Sequence, residues 1–451
     1  MEIQSTRKWL VFVFLTLSCL WFSGFVQREI NNYLQKAPVD YFDFHVYYVA
    51  GKVAGSDTDK RLYAYQEISD PGVPAKKIVV NPQLQSFEPD STYGSFAKQE
   101  NSDIGQYLYP PFFAMAMIPM TAIPYAKAQA VWHILVFLFA CLAVIFTVRL
   151  FYEDYLTVGL TSAVIIFVLE FTHPMRDLLF VGNIGSLIIL LTVAGIYLHK
   201  KYPSIGALLF ALAVIIKLTP IAIVPLMIIR RQWKWLIAFC CWSVLLWGIS
   251  IWFLGWQNHY EFVTRVIPAM SDGVAHRDNR SFSTGLSAIY SGKFMTIEEA
   301  RAGENISPPR PPIILFKILT ILSFGGLLFL FWFYNRTDSQ INVEILILTL
   351  WSIIFSPVSF RHYYILSLAP FIYAWLHPFT KKASVFHLTW LSVATLMIFS
   401  ILPNYGYTIT ESFPVHLALF FVMPLGVVLC IWYLMNLLKT QPVDYRLELE
   451  K

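Results

Sequence analysis

Charged residues are scarce in this chain of 451 residues, because Asp, Glu, Lys and Arg together make up 14% of it. Soluble globular domains carry about 25% charged residues, so a water-soluble fold is excluded. Hydrophobic residues fill the deficit at 57%, and the mean hydropathy is +0.57. The formal net charge of +5 does not indicate nucleic-acid binding, because the cations are scattered at the ends of apolar runs.

Cysteines and clustered metal ligands are also scarce. The five cysteines all lie inside apolar runs, at Cys19, Cys141, Cys240, Cys241 and Cys430. This placement indicates neither a disulfide framework nor a cysteine metal site, and burial as small hydrophobes is the simpler interpretation. No cluster of oxygen ligands of the kind that hard cations need is visible. The sequence therefore predicts no metal and no cofactor, with a metal held by Asp40 and Asp43 as the alternative.

The chain is rich in apolar runs, and a helix crosses a membrane with about 17–25 such residues. The runs fall near 9–26, 126–148, 156–171, 184–198, 233–254, 313–334, 341–357, 361–377, 386–402 and 414–438. The first is followed by Gln27-Arg28-Glu29 instead of a small-residue cleavage site, which indicates an uncleaved helix. The sequence predicts one all-α polytopic membrane domain over 1–451, with about 10–12 transmembrane helices.

Basic residues predict which helix ends are cytoplasmic, because Lys and Arg concentrate on that side. Alternation from the N-terminal pair Arg7-Lys8 places the later basic residues inside as well, namely Arg149, Lys200-Lys201, Arg336, Lys381-Lys382 and Lys439. Both termini are therefore predicted to be cytoplasmic.

The same alternation predicts which segments face outward. They are a first outer loop at 27–125, a second at 255–312, and short turns at 172–183 and 357–361. Within the first loop, residues 109–124 are interpreted as a short interfacial segment leading into the second span.

The apolar stretch 204–229 does not fit a single crossing. It is entered from cytoplasmic lysines and followed by Arg230-Arg231, so one crossing would invert the downstream topology. Lys217-Leu-Thr-Pro220 interrupts it, and proline breaks the helix and restricts the residue before it. We expect a helical hairpin, or two short spans, turning at Lys217–Pro220. A lysine at membrane depth is costly, which makes Lys217 a functional candidate.

Acidic residues beyond the first span could supply a general base. Asp40 and Asp43 are three residues apart and share a face if helical, within the sequence Asp40-Tyr-Phe-Asp43-Phe-His45-Val-Tyr47-Tyr48. A carboxylate there can accept the proton of a sugar hydroxyl. A solvated turn is the alternative, as is an N-cap role for Asp40.

Cations recur at the predicted outer turns, where short loops are normally depleted of them. They are Arg176 beside Asp177, Lys217, Arg277 and Arg280 in His276-Arg-Asp-Asn-Arg-Ser281, and Arg361 beside His362. Arg binds phosphate oxygens through a bidentate fork and Lys as a point charge. Snorkelling to headgroups, solvated loop cations and a local ion pair are the alternatives. Taken together, the cations predict a site for a lipid-anchored phosphate.

Several short motifs occur in a fixed order along most of the chain. They are Asp43-Phe-His-Val-Tyr47-Tyr48-Val-Ala-Gly, Leu62-Tyr63, Tyr109-Pro-Pro-Phe112, Gly182-Asn183, Lys217-Leu-Thr-Pro220, Asp278-Asn279-Arg280-Ser281, and Ser356-Pro357 with Ser359 and Arg361-His362. The ordered set resembles glycosyltransferase family 87, membrane enzymes of GT-C fold that include polyprenol-phosphate-mannose-dependent mannosyltransferases. The stretch Phe360-Arg361-His362-Tyr363 departs from the family, which more often has Trp and a His pair here.

The resemblance implies a GT-C-type bundle and an inverting transfer of a single mannose-like hexose. The donor would be a polyprenyl-phosphate sugar and the acceptor a hydroxyl on an extracytoplasmic glycan or glycolipid, at the periplasmic face of a bacterial inner membrane. Asp43 would be the catalytic base, and His362 an active-site histidine.

Other residues are assigned to the two substrates. We expect the donor phosphate to contact Lys217 and Arg361, with Arg277 or Arg280 closing over it. The candidates for sugar and acceptor contacts are Tyr47, Tyr48, Tyr109, Asn183, Asp278 and Asn279. Interfacial anchoring explains the three tyrosines equally well.

Two other classes of protein remain open. A broken hydrophobic segment with an intramembrane lysine is also typical of a transporter or lipid flippase, although no internal repeat is evident. An O-antigen polymerase or ligase would also be membrane-bound with a large outer loop, but its arginine-centred motifs are not matched.

Overall fold

The structure is a computed structural model that describes residues 2–34, 42–57, 60–63, 107–273, 279–294, 309–333, 340–380, 385–399 and 413–440. In these ranges the regular structure is helical, apart from one isolated antiparallel bridge between Asn279 and Phe360. Asp40, Arg277 and Asp278 lie outside the described residues.

The helices follow one another in this order: α1 (Glu2–Leu34), α2 (Phe42–Ala54), α3 (Pro111–Thr121), α4 (Tyr125–Arg149), α5 (Tyr155–Leu169), α6 (His173–Val181), α7 (Gly185–Leu198), α8 (Pro203–Ile216), α9 (Ile223–Ile229), α10 (Trp233–Leu254), α11 (Trp256–Glu261), α12 (Ile267–Asp272), α13 (Phe282–Ser291), α14 (Arg310–Phe333), α15 (Ile341–Phe355), α16 (Leu368–Thr380), α17 (Val385–Phe399) and α18 (Phe413–Thr440). Thr219–Ala222 and Arg361–Ser367 are 3-10 helices, and Phe262–Val266 is a π-helical turn.

The chain is an all-helical polytopic membrane protein. Within the described ranges, four helices are long and apolar enough to cross a membrane unaided: Lys127–Arg149, Trp233–Leu254, Arg310–Phe333 and Leu417–Leu438. Large apolar side chains such as Val244, Trp252 and Ile321 are exposed on these helices, as expected for surfaces that face lipid tails. The sidedness of the helices, and crossings made by shorter helices, stay predictions.

The predicted span 156–171 is shorter than expected and is followed by a helix, not by a turn. α5 ends at Leu169 and α6 begins at His173, and the two axes are bent by 73°. Pro174 sits in the first turn of α6, where its missing N–H costs nothing. Gly182 ends α6 with φ of +64°, a left-handed conformation that glycine adopts without strain. The predicted turn 172–183 is therefore wrong for most of its length.

Three further boundaries differ from expectation. α1 continues to Leu34, so the predicted outer segment 27–125 begins with helical residues. The predicted span 361–377 begins with the 3-10 helix Arg361–Ser367 before α16 takes over. The predicted loop 255–312 opens with the helical run from α11 to α12, because Gly255 at φ of +82° turns the chain out of α10.

α7 lies in the centre of the described helices, and its packing fixes the position of Gly182 and Asn183, which directly precede it. Ile189, Val193 and most other residues of α7 are buried, as expected for a helix that is apolar all round. It packs against α4 and α8, and a Cβ on Gly195 would lie 2.7 Å from the ring of Phe210 in α8. The N-terminus of α7 is also inside the protein, because Gly185 and Ser186 are buried.

The break at Lys217 is present, but the chain reversal is longer than predicted. α8 ends at Ile216, Lys217 is extended with φ of −150° and ψ of 122°, and a 3-10 turn follows. Trp242 of α10 donates to Ser204 of α8, and the rings of Trp235 and Phe210 are 5.5 Å apart. α10 thus runs antiparallel to α8 and starts beside its middle, so the whole stretch 217–232 makes the reversal.

Candidate active site

Asp43 lies in the first turn of α2, where the positive end of a helix favours a carboxylate. Phe44, Tyr47 and Tyr48 are buried and anchor α2 against the rest of the protein. α2 packs along α3 so closely that a Cβ on Gly51 would be 3.0 Å from the backbone of Met117. A short amphipathic helix therefore presents Asp43 at a fixed position.

Asn183 is the nearest polar partner of Asp43, although 140 residues separate them. Its Nδ2 donates to Asp43 Oδ2 at 2.6 Å, and its Oδ1 accepts from the backbone N–H of Gly185 at 2.8 Å. These two partners determine the amide orientation, because a backbone N–H needs an acceptor and a carboxylate needs a donor. Trp132 Nε1 donates to the carbonyl of Gly182 at 2.7 Å and steadies the turn.

Two buried tyrosines complete this side of the site. Tyr47 donates its hydroxyl to that of Tyr109 at 2.8 Å. Asn183 Nδ2 lies 3.4 Å from the first hydroxyl and 3.3 Å from the second. The hydroxyl of Tyr63 donates to the carbonyl oxygen of Tyr109 at 2.5 Å. This hydrogen bond holds Tyr109 against the segment 60–63. Asp43 therefore faces a connected row of hydrogen-bonding groups.

Lys217 brings a cation to the same place. The broken backbone between α8 and the following 3-10 turn directs its side chain to Tyr363, and Nζ lies 3.2 Å from the centroid of that ring. Nζ is also 6.0 Å from the ring centroid of Tyr109. Among the described residues this buried ammonium has no hydrogen-bond partner. An ammonium that lies against aromatic faces is suited to receive an anionic ligand.

His362 lies beside Asp43, in the 3-10 helix that follows α15. Its Nε2 is 3.4 Å from Asp43 Oδ2, which is longer than a well-formed hydrogen bond. Burial, helped by the nearby Lys217 and Arg361 cations, holds the pKa of His362 well below its usual range. The imidazole is therefore neutral around pH 7.

The Asp43 carboxyl titrates well above an ordinary aspartate. A quarter of its side-chain surface remains exposed, 25%, yet loss of water around the carboxyl raises its pKa to about 6, opposed by the Asn183 hydrogen bond and the Lys217 charge. A carboxylate with a pKa near the working pH is both ionised and basic enough to take a proton.

Arg361 points away from Asp43 toward α6. Its Nε lies 3.4 Å from Asp177 Oδ2, and the same oxygen lies 3.2 Å from His173 Nδ1. Arg176 and Arg280 also interact electrostatically with His173. Cations thus lie near the start of α6, and Asp177 of this helix pairs with Arg361.

Arg280 and Asn279 belong to a backbone clamp next to the site. Asn279 Nδ2 donates to the carbonyl of Pro357 at 3.0 Å, and its Oδ1 accepts from the N–H of Ser359 at 2.6 Å. The N–H of Arg280 donates to the carbonyl of Ser359 at 2.7 Å, and the buried Arg280 guanidinium packs 5.3 Å from the ring centroid of Phe420. The side chain of Asn279 therefore joins two chain segments.

The structure brings together six of the predicted site residues, which are Asp43, Tyr47, Tyr109, Asn183, Lys217 and His362. Tyr48 is turned away, because its hydroxyl donates to the carbonyl of Ile123 at 2.9 Å. Tyr363 and Asp177 were not singled out from the sequence. Tyr363 directly follows His362, but an aromatic residue in an apolar run carries no signal of its own.

Comparison with known proteins identifies the class of enzyme. The family model for glycosyltransferase family 87 matches residues 107–357, more than half of the chain. The chain belongs to glycosyltransferase family 87. The match contains Asn183 and Lys217 but ends before His362, and it begins after Asp43. No curated protein matches the chain. Membership of family 87 makes the protein a glycosyltransferase.

Proposed function

We propose that this family 87 member transfers one mannose-like hexose from a polyprenyl-phosphate sugar to a hydroxyl of an extracytoplasmic glycan or glycolipid. One observation carries the proposal: a carboxylate, Asp43, and a buried ammonium, Lys217, meet in one site lined by tyrosines. Such a site suits a reaction with a hydroxyl nucleophile at one end and a phosphate leaving group at the other.

In the proposed step, the acceptor hydroxyl attacks the anomeric carbon and gives its proton to Asp43. The new bond joins the acceptor oxygen to that carbon as the bond to the phosphate oxygen breaks. The phosphate leaves with the electron pair, and its charge develops next to Lys217. Attack opposite the leaving group inverts the anomeric configuration. Preorganised charge at the leaving group is typically the largest contribution to such a step.

The remaining residues are assigned to substrate contacts. The neutral His362 next to Asp43 would orient the acceptor hydroxyl. Arg361, with Arg280 and Arg277, would contact the donor phosphate from the α6 side, and Tyr47 and Tyr109 would pack on the sugar. No cofactor takes part in this scheme. The site would face the periplasm of a bacterial inner membrane, with both chain termini in the cytoplasm.

The first experiment replaces the base without changing its size. Purified Asp43→Asn protein in detergent is given a radiolabelled polyprenyl-phosphate mannose and total bacterial membrane lipids as acceptors. We expect normal yield and thermal unfolding but loss of sugar transfer by about 1,000-fold or more, because general-base catalysis and the local charge are both lost. Asp272→Asn is the matched control, since Asp272 pairs with Lys317 at 2.8 Å outside the site.

Near-normal transfer by Asp43→Asn would show that Asp43 is not the catalytic base. A flippase would move labelled lipid across vesicles without making a glycosylated product, and a polymerase or ligase would need a lipid-linked oligosaccharide. Single-sugar transfer by the wild-type protein distinguishes the glycosyltransferase from both alternatives.

A second experiment addresses the donor phosphate. Lys217→Ala is expected to raise the KM for the donor about tenfold or more and to leave the KM for the acceptor within about twofold, because a charge-assisted contact to phosphate is lost. An unchanged donor KM would make the lysine a structural residue.

A further inference from the structure

The two carboxylate oxygens of Asp43 are not equivalent in this site. Oδ2 accepts from Asn183 Nδ2 at 2.6 Å and lies 3.4 Å from His362 Nε2. Oδ1 makes no hydrogen bond or ion pair with any residue that the structure describes. A carboxylate oxygen that already accepts a short hydrogen bond is less basic, so the proton is taken more readily by the other oxygen.

The side chain of Asn183 is fixed by its own contacts, so it can fix the orientation of the Asp43 carboxylate. Its Oδ1 accepts from the first N–H of α7, at Gly185, and the residue is fully buried. The preceding Gly182 has a left-handed backbone and packs so closely on α2 that a Cβ added to it would lie 2.9 Å from Cβ of Phe44. The amide therefore joins the N-terminus of a central helix to the first turn of α2.

We propose that Asn183 is a positioning residue rather than a sugar contact, and that it occupies Oδ2 so that Oδ1 of Asp43 takes the proton of the acceptor. This inference rests on the proposed role of Asp43 as base. The acceptor hydroxyl then approaches Asp43 from the side opposite Asn183. The amide keeps its donor toward Asp43 through the whole reaction, and the proton that leaves the acceptor ends on Oδ1.

The pH dependence of the reaction reports this hydrogen bond. Donation from Asn183 lowers the pKa of Asp43, against the larger effect of burial. Losing the donor raises that pKa further, so less of the base is ionised at a given pH. The other titratable groups that face Asp43 are Lys217, His362, Tyr47, Tyr109 and Tyr363. They are unchanged in an Asn183 variant, so the acidic limb of the pH–rate profile reports Asp43 where the new residue is uncharged, and the carboxyl pair where it is aspartate.

The test uses Asn183→Asp in the full-length protein, with the same radiolabelled polyprenyl-phosphate mannose and membrane lipids. The new carboxyl keeps an acceptor for the N–H of Gly185, and because it lies where the amide lay beside Asp43, the two carboxyls share a proton and titrate as a pair with a raised pKa. We expect kcat to fall about tenfold or more near neutral pH, the acidic limb to move up by about 1–2 pH units, and the KM values to stay within about twofold.

Asn183→Ala is the second variant, and it adds no charge. We expect it to move the acidic limb upward by less than Asn183→Asp does. Ser186→Ala is the matched control, because Ser186 is buried in the same helix start and its hydroxyl makes no hydrogen bond to any described residue. An unshifted limb in both Asn183 variants, or a raised substrate KM at unchanged kcat, would overturn the inference and leave the base assignment intact. An active Asp43→Asn protein would instead remove the base assignment itself.

Discussion

The contact between the Lys217 ammonium and the ring of Tyr363 leads to a prediction whose size follows from one distance. The ammonium lies 3.2 Å from the ring centroid of Tyr363. A cation over an aromatic face is stabilised by about 2 kcal/mol when desolvated. Removing the ring takes this stabilisation from the ammonium, so the free protein favours the neutral amine of this buried lysine, and binding of the donor phosphate must restore the proton. At about 1.4 kcal/mol for each tenfold change, donor affinity should fall about 30-fold.

The matched variants are Tyr363→Leu and Tyr363→Phe. The first keeps an apolar side chain without a π face, and the second keeps the face without the hydroxyl. Initial rates at saturating acceptor give the donor KM, and thermal unfolding in detergent checks the fold. We expect the KM to rise about 30-fold for leucine and by less than about twofold for phenylalanine. Equal donor KM values for the two variants would refute the reasoning.

The remaining predictions concern pH, stability and the tyrosines. Transfer should fall tenfold for each pH unit below about pH 6, since the raised pKa of Asp43 leaves the base protonated there; a pH–rate profile measures this. Glu344→Gln should destabilise the protein by about 3 kcal/mol, seen as a lower midpoint of unfolding, because the carboxylate makes a buried bidentate pair with Arg230. Tyr47→Phe should lower kcat while Tyr48→Phe leaves it unchanged, because the first hydroxyl lies near Asn183 and the second bonds a backbone carbonyl; parallel transfer assays compare the two.

The residues gathered around Asp43 were predictable because each belongs to a short motif whose residue types have chemical meaning. Lys217 is an example, since a lysine beside a proline in an apolar stretch is expensive without a function. The motifs gave no distances. That Asn183 and Asp43 meet at 2.6 Å follows from the packing of α7, α4 and α2, which no local pattern contains.

The failures of prediction have a common physical origin. The predicted span 156–171 runs two residues past the end of α5 into the bend, and the predicted span 361–377 runs through the 3-10 helix Arg361–Ser367, because both stretches are apolar. Hydropathy measures transfer into lipid and not backbone geometry, so it cannot register a break whose polar groups are satisfied inside the protein. The contacts of Asn279 were not predictable for a related reason, because its amide pairs with backbone groups of a segment about 80 residues away.

Gly182 shows how a residue without any functional group can control the chemistry. A Cβ added to Gly182 would lie 2.9 Å from Cβ of Phe44, the residue that follows Asp43. The φ of +64° at Gly182 also disfavours any larger residue. Alanine at this position would displace the first turn of α2 while every polar atom of the pocket kept its identity. Loss of activity in a Gly182 variant would therefore show that Asp43 had been displaced. A mutational scan that took every inactive variant to mark a catalytic residue would wrongly count Gly182 as one.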